Sequence, residues 1–215
     1  MTLDKVIAIL KIETQQWGVP IVTEIQRLTN SPFKVLISCI LSLRTKDEIT
    51  AQASARLYML GNTPAELMLV PVTAIEKAIY PVGFYHTKAQ QIVNIARSLV
   101  EEFESKVPED IETLITFKGV GRKTANLVVT VGYGLPGICV DTHVHRITNR
   151  WGYVKTKTPD KTELALRAKL PKKYWLVIND LLVTYGQNLC KPVSPLCSNC
   201  KISSFCKRVG VAQSR

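Results

Sequence analysis

The stretch Phe117-Lys118-Gly119-Val120-Gly121-Arg122-Lys123-Thr124-Ala125 places two glycines directly before a segment with helical apolar periodicity. Glycine has no Cβ, so such a turn can expose successive backbone N–H groups at the positive end of a helix. Groups arranged in this way bind phosphate, although Gly-x-Gly also occurs in ordinary tight turns. The stretch therefore predicts a helical hairpin that is a candidate phosphate site.

Signals for helix starts recur outward from this hairpin, whereas signals for strands are almost absent. No Asn-Gly turn and no sustained period-2 alternation occurs. Pro32 to Leu43 is apolar nearly all round and predicts a buried central helix, and another helix is predicted from Lys172 to about Tyr185, ending at Gly186. The predicted helix starts are Thr45, Thr63, Thr73, Thr87, Pro108-Glu109-Asp110, Asp141-Thr142 and Thr158-Pro159-Asp160. The sequence predicts an all-α fold.

The charge of the chain points to a polyanionic partner. The formal net charge is +11, and nucleic acid is the simplest partner for such a protein. No acidic residue follows Asp180, so the C-terminal segment could lie along phosphates. Its basic residues are Lys191, Lys201, Lys207, Arg208 and Arg215. No segment is long and apolar enough to predict a membrane span, and the N-terminus does not resemble a secretory signal, so we expect a cytoplasmic protein.

Four of the six cysteines are concentrated near the C-terminus, with the spacing C-x6-C-x2-C-x5-C. Thiols of a reducing compartment bind metal more often than they pair. Zinc sites usually place two tight cysteine pairs well apart, whereas this segment has one pair flanked by single cysteines. The spacing favours an iron–sulfur cluster over zinc. The predicted ligands are Cys190, Cys197, Cys200 and Cys206. Cys39 and Cys139 lie in apolar segments and are predicted to be core residues.

Lys123 and Asp141 are the candidate catalytic residues. A lysine in the first turn of a helix is disfavoured by the helix dipole, so Lys123 either contacts phosphate as a solvated cation or serves as an activated amine nucleophile. Asp141 opens Asp141-Thr142-His143-Val144-His145 and is well placed as a helix N-cap. A catalytic role for its carboxylate is compatible with that capping role. His143 and His145 are separated by two positions and make a poor metal pair.

These motifs resemble those of the endonuclease III branch of the helix-hairpin-helix DNA glycosylases. The resemblance rests on Gly119 to Asn126, on Val140-Asp141-Thr142-His143 and on the cysteine spacing, and it extends over roughly residues 25 to 208. It implies two α-helical lobes: a six-helix bundle over 25–135 that contains the hairpin, and a lobe of 1–24 plus 136–215 that holds a [4Fe–4S] cluster. Double-stranded DNA would lie in the cleft between the lobes, with Lys123 and Asp141 facing each other.

The resemblance also implies an activity. Members of the family remove oxidised pyrimidines and then cut the strand, which makes them bifunctional DNA glycosylases and AP lyases of base excision repair. Lys123 would attack C1′ of the flipped nucleotide and Asp141 would accept a proton or stabilise positive charge. The partner would be duplex DNA with damaged bases or abasic sites, and the protein would be a monomer that acts at the nucleoid of a bacterial or archaeal cell. The alternatives are a monofunctional mismatch or alkylated-base glycosylase and a non-catalytic DNA-binding module.

The residues that would contact DNA include two positions outside the hairpin. Phe84 follows Tyr80-Pro81-Val82-Gly83 and matches an apolar wedge, although it could equally be a core aromatic. Arg44 stands where the family usually has glutamine, and Phe117-Lys118-Gly119 stands where the family usually has Leu-Pro-Gly. The full predicted DNA-binding set is Arg44, Phe84, Gly119, Val120, Gly121, Arg122, Lys207 and Arg208.

Overall fold

A computed structural model describes all residues 1–215 and contains helices but no strand, which confirms the all-α prediction. Short 3-10 helices span Thr14–Trp17, Lys172–Tyr174 and Cys197–Asn199, and a π-helical turn spans Val128–Gly132. None of the helices combines the length and the apolarity needed to cross a bilayer. The α-helices are Leu3–Glu13 (α1), Ile21–Thr29 (α2), Pro32–Ser42 (α3), Asp47–Leu60 (α4), Pro64–Leu67 (α5), Val72–Ile79 (α6), Tyr85–Glu102 (α7), Ile111–Leu114 (α8), Arg122–Leu127 (α9), Thr142–Arg150 (α10), Pro159–Lys169 (α11) and Trp175–Asn188 (α12).

The chain forms two compact units. The bundle unit is Ile21–Leu135, and the terminal unit combines Met1–Pro20 with Pro136–Arg215. The bundle unit therefore consists of one continuous segment with helices α2 to α9, of which six are longer than a single turn. The terminal unit is made from both ends of the chain.

The bundle unit is organised around α3. Ser31 caps this helix by accepting a hydrogen bond from the Lys34 N–H at 3.3 Å, and Pro32 occupies the first turn, where its missing N–H costs nothing. Apart from Lys34, every residue from Phe33 to Leu41 is buried, because α2, α4, α7 and α9 pack around the helix. Burial of this apolar surface is the main stabilising contribution to the unit. The prediction of a buried central helix is confirmed.

The predicted helix starts are confirmed where the polar side chain bonds an N–H group of the helix that directly follows it. Thr63 and Glu66 form a capping box, and Asp110, Asp141 and Thr158 each accept a hydrogen bond from the first turn that follows.

Three predicted starts are wrong, and at the first of them the Thr45 hydroxyl accepts a hydrogen bond from the distant Gly83 N–H instead of capping the helix. The N-cap residues there are Lys46, Pro71 and Phe84 rather than Thr45, Thr73 and Thr87.

The predicted end of the last helix is also wrong. Helix α12 continues past Gly186 to Asn188, so this glycine does not terminate it. A Cβ at Gly186 would lie 2.4 Å from His143 Nδ1. The glycine is therefore needed because α10 and α12 approach each other closely at this point, and not for its conformational freedom.

The terminal unit has its own apolar core. Val6, Ile7 and Leu10 of α1 are fully buried against residues of α10 and α12 such as Ile147 and Ile178. Trp17 meets Tyr185 edge-on, with ring centroids 6.1 Å apart. This core supports the segment that carries the four clustered cysteines.

Candidate active site

The predicted hairpin joins α8 to α9 in the bundle unit. Gly119 has φ +90°, which side chains other than glycine rarely adopt, and a Cβ there would lie 2.4 Å from Gln91 Nε2. Gly121 is the N-cap of α9 and has extended backbone, and a Cβ there would meet nothing within 4 Å. The N–H of Val120 donates to the Phe117 carbonyl at 2.9 Å. Only Gly119 is therefore required by the fold, and the Val120 N–H is already used inside the turn.

Lys123 is the second residue of α9, and its side chain is exposed. Burial raises the pKa of the Cys39 thiol of α3 to about 12, and the positive charge of Lys123 partly opposes this rise. Lys123 therefore lies near α3. Arg122 pairs with Glu112 of α8 at 3.5 Å across the hairpin. The short helix thus carries an exposed lysine directly after the glycine turn, and a lysine amine is one of the groups that form covalent intermediates.

Asp141 is the N-cap of α10 in the terminal unit. Its Oδ1 accepts hydrogen bonds from the N–H groups of His143 and Val144, both at 2.9 Å. The residue is only 8% exposed, so the carboxylate is held in one orientation. Both bonds end on the same oxygen, and neither uses Oδ2. The structure therefore gives Asp141 a firm capping role that leaves one carboxylate oxygen for another partner.

Arg44 and Phe84 are brought together by the loops on which they lie. The Arg44 guanidinium carbon is 5.2 Å from the centre of the Phe84 ring, a cation–π contact. Both side chains are exposed, and Phe84 is 62% exposed, so it is not a core aromatic. Both residues have left-handed backbone conformations, with φ 56° and 60°. An exposed aromatic on a strained backbone is a feature of binding sites more than of packing.

Lys88 of α7 is a buried lysine that the sequence did not single out. It is 5% exposed, and its Nζ donates to the carbonyls of Leu41 at 3.0 Å and Leu43 at 2.6 Å, with Thr45 Oγ1 at 3.5 Å. All three partners are uncharged. Burial therefore lowers the pKa of Lys88 to about 8.

This burial predicts a pH dependence of stability. The ordinary lysine pKa of 10.5 is restored on unfolding, so between about pH 8 and 10.5 the unfolded chain binds more protons than the folded one. The contribution of Lys88 to the free energy of unfolding is expected to rise across that window, by on the order of 3 kcal/mol at about 1.4 kcal/mol per pKa unit. Denaturant unfolding at about pH 7.5 and about pH 10 measures it. The native protein should gain stability relative to Lys88→Met at the higher pH, and a constant difference would contradict the prediction.

The four clustered cysteines line one cavity of the terminal unit, together with apolar residues such as Trp151 and Ile202. No three histidine, cysteine or acidic side chains stand close enough together to hold a single metal ion. Burial raises the pKa of the Cys200 and Cys206 thiols, and the neighbouring cysteines add to that rise. A cationic centre bound by all four sulfurs would reverse this effect, because metal ligation requires thiolates.

Several donors of the terminal unit point at these sulfurs. Arg150 Nη1 and the Tyr185 hydroxyl lie 3.3 Å from Cys190 Sγ and Cys200 Sγ respectively, and the Arg208 N–H lies 3.4 Å from Cys206 Sγ. Hydrogen bonds of this kind stabilise negative charge on sulfur. The donor set therefore fits a four-thiolate cluster. Cys39 and Cys139 are buried elsewhere, as predicted.

The basic residues Lys207 and Arg208 directly follow the last of these cysteines. Both are exposed. The stem of Lys207 packs on Gly152, where a Cβ would lie 2.6 Å from Lys207 Cδ. Their position next to the cavity means that the cysteine loop determines where this positive charge lies.

Comparison with known proteins identifies the family. Residues 37–172 match the model of the HhH-GPD superfamily base excision DNA repair proteins, which is more than half of the chain. The chain belongs to this superfamily. Endonuclease III of Thermotoga maritima is 47% identical to it over 82% of this chain and 83% of its own length. The chloroplastic Endonuclease III homolog 2 of Arabidopsis thaliana is 43% identical over 81% of this chain, which spans 47% of that longer protein.

A solved structure agrees with these sequence matches. It is a trapped endonuclease III–DNA covalent intermediate in an estranged-adenine complex, with a TM-score of 0.78 and 34% identity, covering 83% of this chain and 84% of that one. The predicted membership of the endonuclease III family is confirmed. The prediction that the protein is a base-excision-repair DNA glycosylase with AP lyase activity is also confirmed.

Sequence reasoning missed the residues that support the site rather than form it. Tyr185 and Arg150 gave no signal, because only the fold brings their donors to the cysteines. Lys88 did give one. It shares the apolar stripe of α7 with Ile92 and Leu99, and a lysine at a core-facing position needs polar partners.

Proposed function

We propose that this enzyme excises oxidised pyrimidines from duplex DNA through a covalent intermediate on Lys123. The observation that carries the proposal is the position of Lys123, an exposed residue in the first turn after the glycine hairpin. Its Nζ attacks C1′ of the flipped nucleotide, the bond from C1′ to the base breaks, and the base leaves. The C1′–O4′ bond of the sugar then opens, O4′ takes up a proton, and a Schiff base forms between Nζ and C1′. The Schiff base makes the C2′ proton acidic, and loss of that proton breaks the bond from C3′ to its oxygen and expels the 3′ phosphate by β-elimination.

Asp141 serves this chemistry as an acid–base or electrostatic group. It accepts the proton that Lys123 loses or stabilises the positive charge that develops at C1′. Its two N–H bonds hold the carboxylate in place. The N–H groups of Gly119, Gly121 and Arg122 bind a phosphate of the strand, since that of Val120 is engaged within the turn.

Reduction by borohydride tests the proposed mechanism. Mixing the protein with a duplex that contains one abasic site, in the presence of borohydride, should reduce the Schiff base to a stable covalent adduct. The adduct is expected to appear as a single slower band on a denaturing gel. A second duplex with one oxidised pyrimidine in place of the abasic site reports base release. A protein that releases that base but gives no adduct on the abasic duplex would be a monofunctional glycosylase, and one that binds both duplexes without either reaction would be a binding module.

The four cysteines Cys190, Cys197, Cys200 and Cys206 would hold a [4Fe–4S] cluster. Their shared cavity and the donors around their sulfurs support this assignment. Bound there, the cluster would brace the loop that presents Lys207 and Arg208 to phosphates, and no step of the reaction passes through it. The proposal includes action as a monomer on nucleoid DNA in the cytoplasm.

The iron content of the protein tests this assignment. Protein purified without oxygen is expected to be brown and to contain about four irons per chain. Cys200→Ser should lose most of the iron, whereas Cys39→Val, which changes a buried thiol of the bundle unit, should keep it. Zinc in place of iron, in protein made with an intact iron–sulfur assembly system, would overturn the assignment.

Arg44 is proposed to read the base opposite the lesion. Its planar guanidinium can stack on bases, and its fork can bond O6 and N7 of a guanine, which glutamine does less well. We expect faster excision opposite guanine than opposite adenine, by about tenfold, the lower part of the range for a bidentate base contact. Arg44→Gln should narrow this ratio.

Single-turnover rates on one oxidised pyrimidine placed opposite each of the four bases measure the ratio. The control is Arg97→Gln, which removes the same charge from an exposed position of α7. Equal opposite-base profiles for the native protein and Arg44→Gln would mean that Arg44 contacts only phosphate.

A further inference from the structure

Two loops of the bundle unit carry the exposed Arg44–Phe84 pair. The first loop is residues 42–46 and contains Arg44, and the second is residues 80–84 and contains Phe84. The left-handed backbone of both residues is unfavourable for large side chains. Neither Arg44 nor Phe84 belongs to a regular helix. Contacts from outside must therefore hold both conformations.

Lys88 contacts both loops at once. Its Nζ bonds the carbonyls of Leu41 and Leu43, which enter the first loop just before Arg44. Its backbone N–H donates to the carbonyl of Phe84 at 3.0 Å. The lysine thus links the two exposed residues through one short path.

Thr45 and Gly83 complete this link. Thr45 Oγ1 accepts a hydrogen bond from the Gly83 N–H at 3.2 Å and lies within 3.5 Å of Lys88 Nζ. A Cβ at Gly83 would lie 2.9 Å from the carbonyl oxygen of Arg44, so only glycine allows the loops to approach this closely. The two loops are fastened to each other as well as to Lys88.

We propose that Lys88 is a positioning residue that fixes Arg44 and Phe84 as one preassembled pair before DNA binds. A buried ammonium with only uncharged partners is costly for stability alone, since an apolar side chain would fill the same space without desolvation. Its three donors, however, can gather two carbonyls and a hydroxyl at one point. A pair held in advance loses less conformational freedom when it enters the duplex. What the pair does on DNA rests on the proposed function. The tether, by which we mean the contacts of Lys88 with the two loops, is a property of the free protein.

Hydrogen exchange of the free protein tests the tether itself. Lys88→Met keeps the length of the stem and removes the donors. Amide exchange in residues 42–46 and 82–86 is expected to accelerate by about tenfold or more, because the loops open locally. The matched control is Tyr58→Phe, which removes bonds to the Lys34 carbonyl at 2.9 Å and Ser38 Oγ at 2.7 Å in the same unit. If the amide exchange rates of these two loops were equal in Lys88→Met and Tyr58→Phe, the inference would be overturned.

A ratio of two activities tests the consequence. For each variant, the rate of base excision from a duplex is divided by the rate of borohydride trapping on single-stranded abasic DNA, where no base stack has to be opened. Lys88→Met should lower this ratio by about tenfold to a hundredfold, the usual scale for misplaced groups. A general loss of folded protein lowers both rates and leaves the ratio unmoved, as expected for Tyr58→Phe. An unchanged ratio in Lys88→Met with faster loop exchange would overturn the positioning role.

A double-mutant cycle shows whether Lys88 acts through the pair. Phe84→Ala is combined with Lys88→Met, and the losses in the ratio should be less than multiplicative, because the pair that the lysine holds is already broken once the Phe84 ring is gone. Multiplicative losses would overturn the inference. If Lys88→Met does not fold, Thr45→Val carries the same three measurements, since it removes the hydroxyl that joins Gly83 to Lys88. Absence of trapping in the native protein would instead reject the proposed function and leave the exchange test intact.

Discussion

Lys123→Gln is expected to abolish both strand cleavage and the borohydride-trapped adduct. The amide of glutamine cannot form a Schiff base, so the covalent route is lost entirely. Binding to abasic DNA should persist, because the hairpin backbone does not depend on this exposed side chain. Gel trapping and a fluorescence-anisotropy titration on the same duplex measure the two effects.

The hairpin offers a matched control for this variant. Lys118→Gln removes an equal charge from an exposed lysine five residues earlier and should still give the adduct. Loss of trapping in both variants would indicate that charge near the hairpin, and not the nucleophile, had been removed. An adduct formed by Lys123→Gln would reject Lys123 as the nucleophile.

Asp141→Asn is expected to slow base release by about 10²–10⁴-fold, the range for a positioned acid–base group. Asparagine caps helices as well as aspartate does, and its amide oxygen can accept both N–H bonds that Oδ1 now receives. The substitution therefore separates the charge of Asp141 from its capping role. Single-turnover release of an oxidised pyrimidine measures the rate, and thermal unfolding checks that the cap is kept.

Asp110→Asn makes the same change at another helix N-cap, where the carboxylate accepts the Thr113 N–H at 2.7 Å. It should leave base release close to that of the native protein. A fall in Asp141→Asn of less than about tenfold, against the 10²–10⁴-fold expected of an acid–base group, would show that Asp141 is only a cap.

The sequence predicted features that depend on neighbours along the chain. Thr63, Asp141 and Thr158 cap helices because the groups they bond lie within three residues. Gly119 was recognised for the same reason, since a tight turn needs a left-handed residue whatever surrounds it. Local chemistry of this kind can be read from a short window.

The sequence could not predict features in which a distant partner competes for the same atoms. Thr45 and Thr63 are each followed three residues later by a glutamate, yet the Thr45 hydroxyl accepts a hydrogen bond from the N–H of Gly83, which lies 38 residues away. Lys88 directly follows Thr87, a predicted helix start, but the partners of its side chain lie on α3 and the loop that follows α3. The cavity around the cysteines likewise depends on Arg150 and Tyr185 from two other helices. These positions are where tertiary contacts override local preference.

The construction of the terminal unit from both chain ends has a consequence for synthesis. Helix α1 is translated before the bundle unit, but the residues that cover Val6, Ile7 and Leu10 belong to helices made after the whole of Ile21–Leu135. The continuous bundle unit can fold while translation proceeds, whereas the apolar face of α1 stays incompletely covered until α10 and α12 have both been made. During that interval the nascent polypeptide exposes the apolar face of a short helix, a kind of surface that promotes aggregation and that chaperones bind.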